Sequence, residues 1–322
     1  MTYSEIWHRI ATSYDDGEAR AIARILIEEL FGLSYADIVC GATEQLSADD
    51  TLRLDTAVRR IEQGEPLQHV LGYADFCGNR FSVNGSVLIP RPETEWLVDE
   101  GAKLMNGCIA SDETQHKAPH SPKRILDIGT GSGCIAISLK LRLGDAYVEA
   151  WDISEEALRT AQDNADALKA EVVFRKRDAL RADNTAAPWD LIVSNPPYIC
   201  DSERSAMDDN VLLHEPHTAL FVPDDDPLRF YRAIARYALL TLNIGGNLLF
   251  ECNTRYAEAT GKMLSDMGFE EVTVSDDCFS LPRFVRGRKN SPAQQPLPTL
   301  PVGEGLVTQG LERPKKAYHP KA

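Results

Sequence analysis

Apolar residues in the first part of the chain recur at helical spacing. Ile6, Ile10, Ala11 and Tyr14 form one series. Ala19, Ile22, Ala23, Leu26, Ile27 and Leu30 form a second, stopped at Gly32. Leu52, Leu54, Val58 and Ile61 form a third, opened near Ser47 and closed at Gly64-Glu65-Pro66. The period then changes. Leu67-Gln68-His69-Val70-Leu71-Gly72-Tyr73 and Arg80-Phe81-Ser82-Val83-Asn84 read as two strands with Gly78-Asn79 as their turn. Residues 107–123 are polar and read as a surface insertion. Beyond them, short apolar runs at 125–128, 147–152, 172–174, 190–194 and 246–251 alternate with helical stretches at 154–168, 228–242 and 256–267. Two further strands are expected near 270–275 and 283–288. Strands that alternate with helices predict an α/β fold with a doubly wound, mostly parallel sheet. From residue 289 onward Ser, Pro, Gln, Gly and Lys dominate, and that tail is expected to be disordered. The expected boundaries are a helical domain over 1–66, a β-hairpin linker over 67–89, an α/β domain over 90–288 and the tail over 289–322.

A chain of 322 residues, 43% of them hydrophobic, has room for two globular domains. No apolar run is long enough to span a bilayer, and Met1-Thr2-Tyr3-Ser4-Glu5 lacks the basic and apolar regions of a signal peptide. The seven cysteines contain no C-x-x-C pair, which fits reduced thiols in the cytoplasm and neither a disulfide frame nor a zinc site. A net charge of −15 opposes binding to nucleic-acid phosphates. His214-Glu215-Pro216-His217 lacks the spacing of a helical zinc motif and reads as loop packing.

The chemistry concentrates in three places. The run Ile125-Leu126-Asp127-Ile128-Gly129-Thr130-Gly131-Ser132-Gly133-Cys134 is a buried strand, a glycine turn and the start of a helix. Its alternating glycines let the backbone turn sharply and admit a ligand where side chains would obstruct it. The helix start offers backbone N–H groups to a polar ligand. In an open α/β sheet, ligands sit at the carboxyl ends of the strands. Asp152 ends the next strand and is placed to accept both hydroxyls of a ribose, and Asp178, past the following strand, is placed to meet an adenine amino group. Asn195-Pro196-Pro197-Tyr198 lies at the carboxyl end of another strand. There the Asn195 side-chain oxygen and the Pro196 carbonyl can each accept one N–H of a planar NH₂ group. The prolines stiffen the loop, and Tyr198 offers a π-face to the substrate or to a cation. The third place is Ile89-Pro90-Arg91-Pro92-Glu93-Thr94-Glu95, an extended segment held by two prolines, with Thr94 placed to cap the helix after it.

The spacing G-x-G-x-G resembles the first motif of class I S-adenosylmethionine-dependent methyltransferases. Together with Ile-Pro-Arg-Pro-Glu-Thr-Glu, Asn-Pro-Pro-Tyr and Glu215-Pro216, it makes residues 1 to about 288 resemble the peptide chain release factor N5-glutamine methyltransferases. The resemblance implies a Rossmann-like class I domain, its mostly parallel sheet finished by an antiparallel strand, behind a small helical domain and a hairpin. It implies S-adenosylmethionine as methyl donor, no metal, and release factors carrying a Gly-Gly-Gln loop as protein partners. Neither a membrane nor nucleic acid is then expected as a partner. It further implies that Asp127, Gly129, Thr130, Gly131, Ser132, Gly133, Asp152, Asp178, Ala179 and Asn195 contact the cofactor. Asn195, Pro196, Pro197 and Tyr198 would hold the glutamine, with Leu88, Arg91 and Thr94 as the opposite wall. The helical domain would help recognise the factor. Two departures stand out: Ala179 replaces an aromatic residue present in several relatives, and 276–284 lacks an expected glycine-Asp-Arg string. Two other functions share the motifs. A nucleobase amino-methyltransferase is opposed by the net charge, and a non-catalytic cofactor-binding adaptor by the intact Asn-Pro-Pro-Tyr.

Overall fold

Thr2, Asp15, Ser34 and Ser47 each accept a backbone N–H from the first turn of the helix that follows, which fixes where the N-terminal helices begin. The structure, a computed structural model, describes residues 1–110, 122–182 and 188–290. Most of the polar stretch 107–123 and all of the tail beyond Asn290 lie outside the described residues. Helices α1 (Tyr3–Ile10), α2 (Asp16–Phe31), α3 (Tyr35–Val39), α4 (Ala48–Glu62) and α5 (Leu67–Leu71) bury Ile6, Ile10, Ile22, Leu26, Val58 and Ile61 against one another. Gly32 ends α2 in the left-handed region, as the stop signal predicts. Leu52 departs from the expected apolar stripe and stands 66% exposed.

The segment expected as a strand over 67–73 is helical over Leu67–Leu71, and only Tyr73 is extended, as the first residue of the hairpin. Pro66 opens α5, and its carbonyl accepts the N–H groups of His69 and Val70. Leu67, Val70 and Leu71 then share one helical face, a spacing equally legible in the sequence. The hairpin is shorter than expected, β1 (Tyr73–Phe76) and β2 (Asn79–Ser82), and its turn is Cys77-Gly78. Both residues have positive φ, +49° and +75°, as a two-residue turn of the mirror-image type requires. It is not a free linker. Phe76 and Phe81 enter the core of the sheet-bearing unit, and Asn164 binds both the N–H and the carbonyl of Ser82.

The sheet-bearing unit continues with α6 (Glu95–Ala110), β3 (Arg124–Ile128), α7 (Cys134–Leu143), β4 (Tyr147–Asp152), α8 (Glu155–Leu168), β5 (Val172–Lys176), β6 (Trp189–Ser194) and β7 (Ile199–Cys200). Helix α9 (Asp209–His214) belongs with α1–α5 in the helical unit, and the sheet-bearing unit resumes at Glu215. It ends with α10 (His217–Leu220), β8 (Phe221–Val222), α11 (Arg229–Thr241), β9 (Leu242–Glu251), α12 (Ala257–Asp266), β10 (Glu270–Asp276) and β11 (Pro282–Arg288). The large sheet has the order β10-β11-β9-β6-β3-β4-β5. Strands β9, β6, β3, β4 and β5 are parallel, and β11 runs antiparallel between β9 and β10. Alternation along the strands divides two cores. Ile125, Val148, Leu191 and Leu249 face α6, α7 and α8, whereas Leu126, Trp151, Ile192 and Leu248 face α11 and α12. The expected tail boundary moves: the Lys289 N–H still donates to Gly246, and its Nζ reaches the Leu242 carbonyl at 2.7 Å.

Candidate active site

Strand order reverses at β3, with β4 and β5 on one side and β6 and β9 on the other. The crevice outside the carboxyl ends of β3 and β6 is therefore where a ligand is expected. A cleft of ≈ 350 Å³ opens there, within the range of small-molecule sites.

The glycine turn after β3 is held by its neighbour. The N–H groups of Gly129 and Thr130 donate to the Trp151 carbonyl at 2.8 and 2.9 Å. The Gly131 N–H donates to Asp152 Oδ2 and the Ser154 N–H to Asp152 Oδ1, both at 2.9 Å. Each carboxylate oxygen keeps a second lone pair, so Asp152 can organise the turn and still accept a ribose hydroxyl. Burial raises its pKa, opposed by the backbone N–H groups it accepts. The loops after β3 and β6 meet here: a Cβ on Gly129 would stand 3.9 Å from the Asn195 carbonyl oxygen, and Ser194 Oγ donates to the Ile128 carbonyl.

Of the ten residues expected to contact the cofactor, Gly129, Gly131, Asp152, Asp178, Ala179 and Asn195 line the cleft. Asp127, Thr130, Ser132 and Gly133 do not. Asp127 is fully buried and accepts the Thr130 hydroxyl at 2.6 Å, and Thr130 and Ser132 are buried. Gly133 (φ +82°) packs against α7 and α8, where a Cβ would come within 2.9 Å of Ile137 Cδ1 and 3.1 Å of Ala161 Cβ. These four shape the turn from behind. Gly133→Ala should therefore destabilise the protein by about 2 kcal/mol, through positive φ and overpacking, read as a shift in the denaturation midpoint.

Asp127 also carries a pH signature. Burial pushes its carboxyl up to about 7, against the Thr130 hydroxyl and the Ala136 N–H, which pull it down. Its folded pKa is thus above its ordinary value. The folded chain binds the extra proton, so this group's contribution to stability falls as pH rises from about 4 to about 7. Asp127→Asn removes that loss. Its melting temperature should match wild type near pH 4, exceed it increasingly toward pH 7 and then hold a constant lead.

Asn195, Pro196 and Pro197 line the cleft, as does Leu88. The other expected wall residues are placed differently. Arg91 pairs with the buried Glu215 carboxylate at 2.5 Å, whose second oxygen accepts the Ile89 N–H. Glu215 is thus an anchor for the 89–91 segment, where the sequence suggested only loop packing. Its pKa is raised by burial and lowered by Arg91. Thr94 does not cap its helix: its hydroxyl donates to Glu251 Oε2 at 2.7 Å. The Tyr198 hydroxyl donates to Glu251 Oε1 at 3.3 Å. Glu251 is the residue the sequence reading overlooked, its one signal being a carboxylate ending the apolar run Leu248-Leu249-Phe250.

The lining fits an adenosylmethionine. Asp152 and Asp178 offer acceptors, and Ala179, Leu180, Phe230 and Ile234 offer apolar surface where Ala179 alone is small.

The chain is similar to known proteins over most of its length. The profile of the methyltransferase small domain matches residues 95–220, and that of the PrmC N-terminal domain matches residues 8–72. The release factor glutamine methyltransferase of Bacteroides thetaiotaomicron is 43% identical over 277 residues, 86% of this chain and 95% of the relative. That of Flavobacterium psychrophilum is 36% identical over 281 residues, 86% of this chain and 94% of the relative. The solved hMettl16 catalytic domain, in complex with a MAT2A 3'UTR hairpin, is a distant likeness at 17% identity. It covers 78% of this chain and 85% of that one with a TM-score of 0.49.

Proposed function

Because the chain belongs to the release factor glutamine methyltransferases, we propose that it methylates the side-chain amide nitrogen of the glutamine in the Gly-Gly-Gln loop of peptide chain release factors. The observation that carries this reading is Asn195-Pro196-Pro197 on the cleft wall beside the glycine turn. S-adenosylmethionine supplies an electrophilic methyl carbon and leaves as the neutral thioether S-adenosylhomocysteine. Asp152, Asp178 and the Gly129–Gly131 turn hold the nucleoside, and Ala179, Leu180 and Phe230 shield it. Asn195 Oδ1 and the Pro196 carbonyl each accept one N–H of the glutamine amide. That fixes the nitrogen's orientation and raises its electron density, which amide resonance otherwise drains. The nitrogen forms the new N–C bond, and its surplus proton passes to water. Positioning supplies most of the rate, and no metal or strong base takes part. The net charge of −15 weighs against a nucleic-acid substrate. Among the described residues no helix is long and apolar enough to cross a membrane. The enzyme would meet its substrate in the cytoplasm, where release factors work.

The helical unit is the part we assign to recognition of the factor. It exposes Val39, Leu52 and Leu213, large apolar side chains outside its own core. Since α9 depends on that unit, surface substitutions test the idea better than truncation. Val39→Asp with Leu52→Asp should raise KM for the intact factor about tenfold or more, roughly the cost of one lost apolar anchor. Activity on a short Gly-Gly-Gln peptide should not change. The function itself is tested by mass spectrometry of a release factor incubated with the protein and labelled S-adenosylmethionine. One methyl group on the Gly-Gly-Gln glutamine is expected; label on another residue, or none, rejects it.

A further inference from the structure

We propose that Glu251 is a positioning residue for this transfer: through Thr94 it sets which end of the Asn195 amide faces the cleft, and through Tyr198 it fixes the end of the same loop. The proposal rests on the glutamine reading above. Glu251 is the last residue of β9, paired with Phe284 of β11, and is 1% exposed. It does not line the cleft. Its two carboxylate oxygens are taken by two hydroxyls, Thr94 Oγ1 at 2.7 Å and Tyr198 at 3.3 Å. It therefore acts on substrate only through other residues.

The direction of these bonds carries the argument. A carboxylate only accepts, and a threonine hydroxyl has a single proton. Once Thr94 gives that proton to Glu251, only lone pairs remain on Oγ1. Asn195 Nδ2 lies 3.5 Å from that oxygen. An amide NH₂ can face those lone pairs, whereas an amide oxygen would be repelled by them. The donor end of Asn195 is thus held toward Thr94, and Oδ1 is left free to accept from a substrate amide. Asn and Gln ends are set by their hydrogen-bond network, and here the network leads back to one buried carboxylate. Burial pushes the Glu251 carboxyl above its ordinary value, opposed by the Thr94 hydroxyl, the charge of Arg283 and the Tyr198 hydroxyl.

Thr94→Val and Thr94→Ser in the full chain separate this role from packing. Valine keeps the shape and loses the hydroxyl; serine keeps the hydroxyl and loses a methyl group. The relay predicts that Thr94→Val lowers kcat on a release factor by on the order of ten- to a hundredfold, as a misoriented acceptor should. Thr94→Ser should stay within about threefold, the size of a small packing loss. Affinity for S-adenosylhomocysteine, measured by calorimetry, should be unchanged in both. A packing role predicts the reverse order. Glu251→Leu can accept from neither hydroxyl and should be at least as slow as Thr94→Val, with no further loss in the double variant. Wild-type turnover in Thr94→Val or in Glu251→Leu would overturn the relay, as would Thr94→Ser being as slow as Thr94→Val. No transfer by the unaltered chain would instead overturn the glutamine reading and the proposal with it.

Discussion

Asn195→Ala should lower methyl transfer to a release factor by on the order of a hundred- to a thousandfold, about 2.7–4 kcal/mol of barrier, the scale of losing one preorganised partner of a reacting group. The loss should appear in kcat. Affinity for S-adenosylhomocysteine should fall much less, because Asp152, Asp178 and the glycine turn remain. Asn195→Asp is the sharper variant. It keeps acceptor oxygens but replaces the NH₂ facing Thr94 with a second acceptor and adds a negative charge. If the neutral amide is required, Asp will be as slow as Ala. Single-turnover kinetics with labelled methyl donor would measure both. Wild-type turnover in Asn195→Ala would remove this residue from the reaction and the proposed amide mechanism with it.

Asp152→Ala should weaken S-adenosylhomocysteine binding by on the order of a hundredfold or more. Two contributions add. Charge-assisted hydrogen bonds to a ribose are each worth roughly 1.5–3 kcal/mol. The same substitution also frees the Gly131 and Ser154 N–H groups that the carboxylate now holds at 2.9 Å. Asp152→Asn should be intermediate, since its one oxygen can keep only one of those amides. Calorimetry decides the matter: an unchanged Kd in Asp152→Ala would exclude it from the cofactor site. Turnover at saturating cofactor should be affected less than affinity, which distinguishes this residue from Asn195.

The parts of the site legible in the sequence are those whose constraint is local. The glycine turn needs positive φ at Gly129, Gly131 and Gly133, and the residue types say so directly. Asn195-Pro196-Pro197-Tyr198 announces a stiff loop after a buried strand, and the structure puts its first three residues on the cleft wall. The parallel strands read as apolar runs because both sheet faces are covered. What was hidden is long-range. Thr94 and Glu251 are 157 positions apart, and Tyr198 and Glu251 are 53 apart, so no window of sequence contains that network. Arg91 and Glu215 stand 124 positions apart, and each alone reads as a solvated or loop charge. The strand reading of 67–71 failed for a local reason instead. Leu67, Val70 and Leu71 fit a helical spacing, and Pro66 tips the choice by starting a helix.

The way the turn after β3 is tied to β4 has a kinetic consequence. Three successive amides, those of Gly129, Thr130 and Gly131, are committed to partners within the protein itself, the Trp151 carbonyl and the Asp152 carboxylate. A cradle set in advance has little conformational freedom left to lose when it is filled. Nucleoside capture should then be a one-step event whose observed rate rises linearly with ligand concentration, without the plateau that a slow loop closure imposes. The amides of this turn should also exchange slowly with deuterated solvent in the empty protein, and filling the cleft should slow them only a little more.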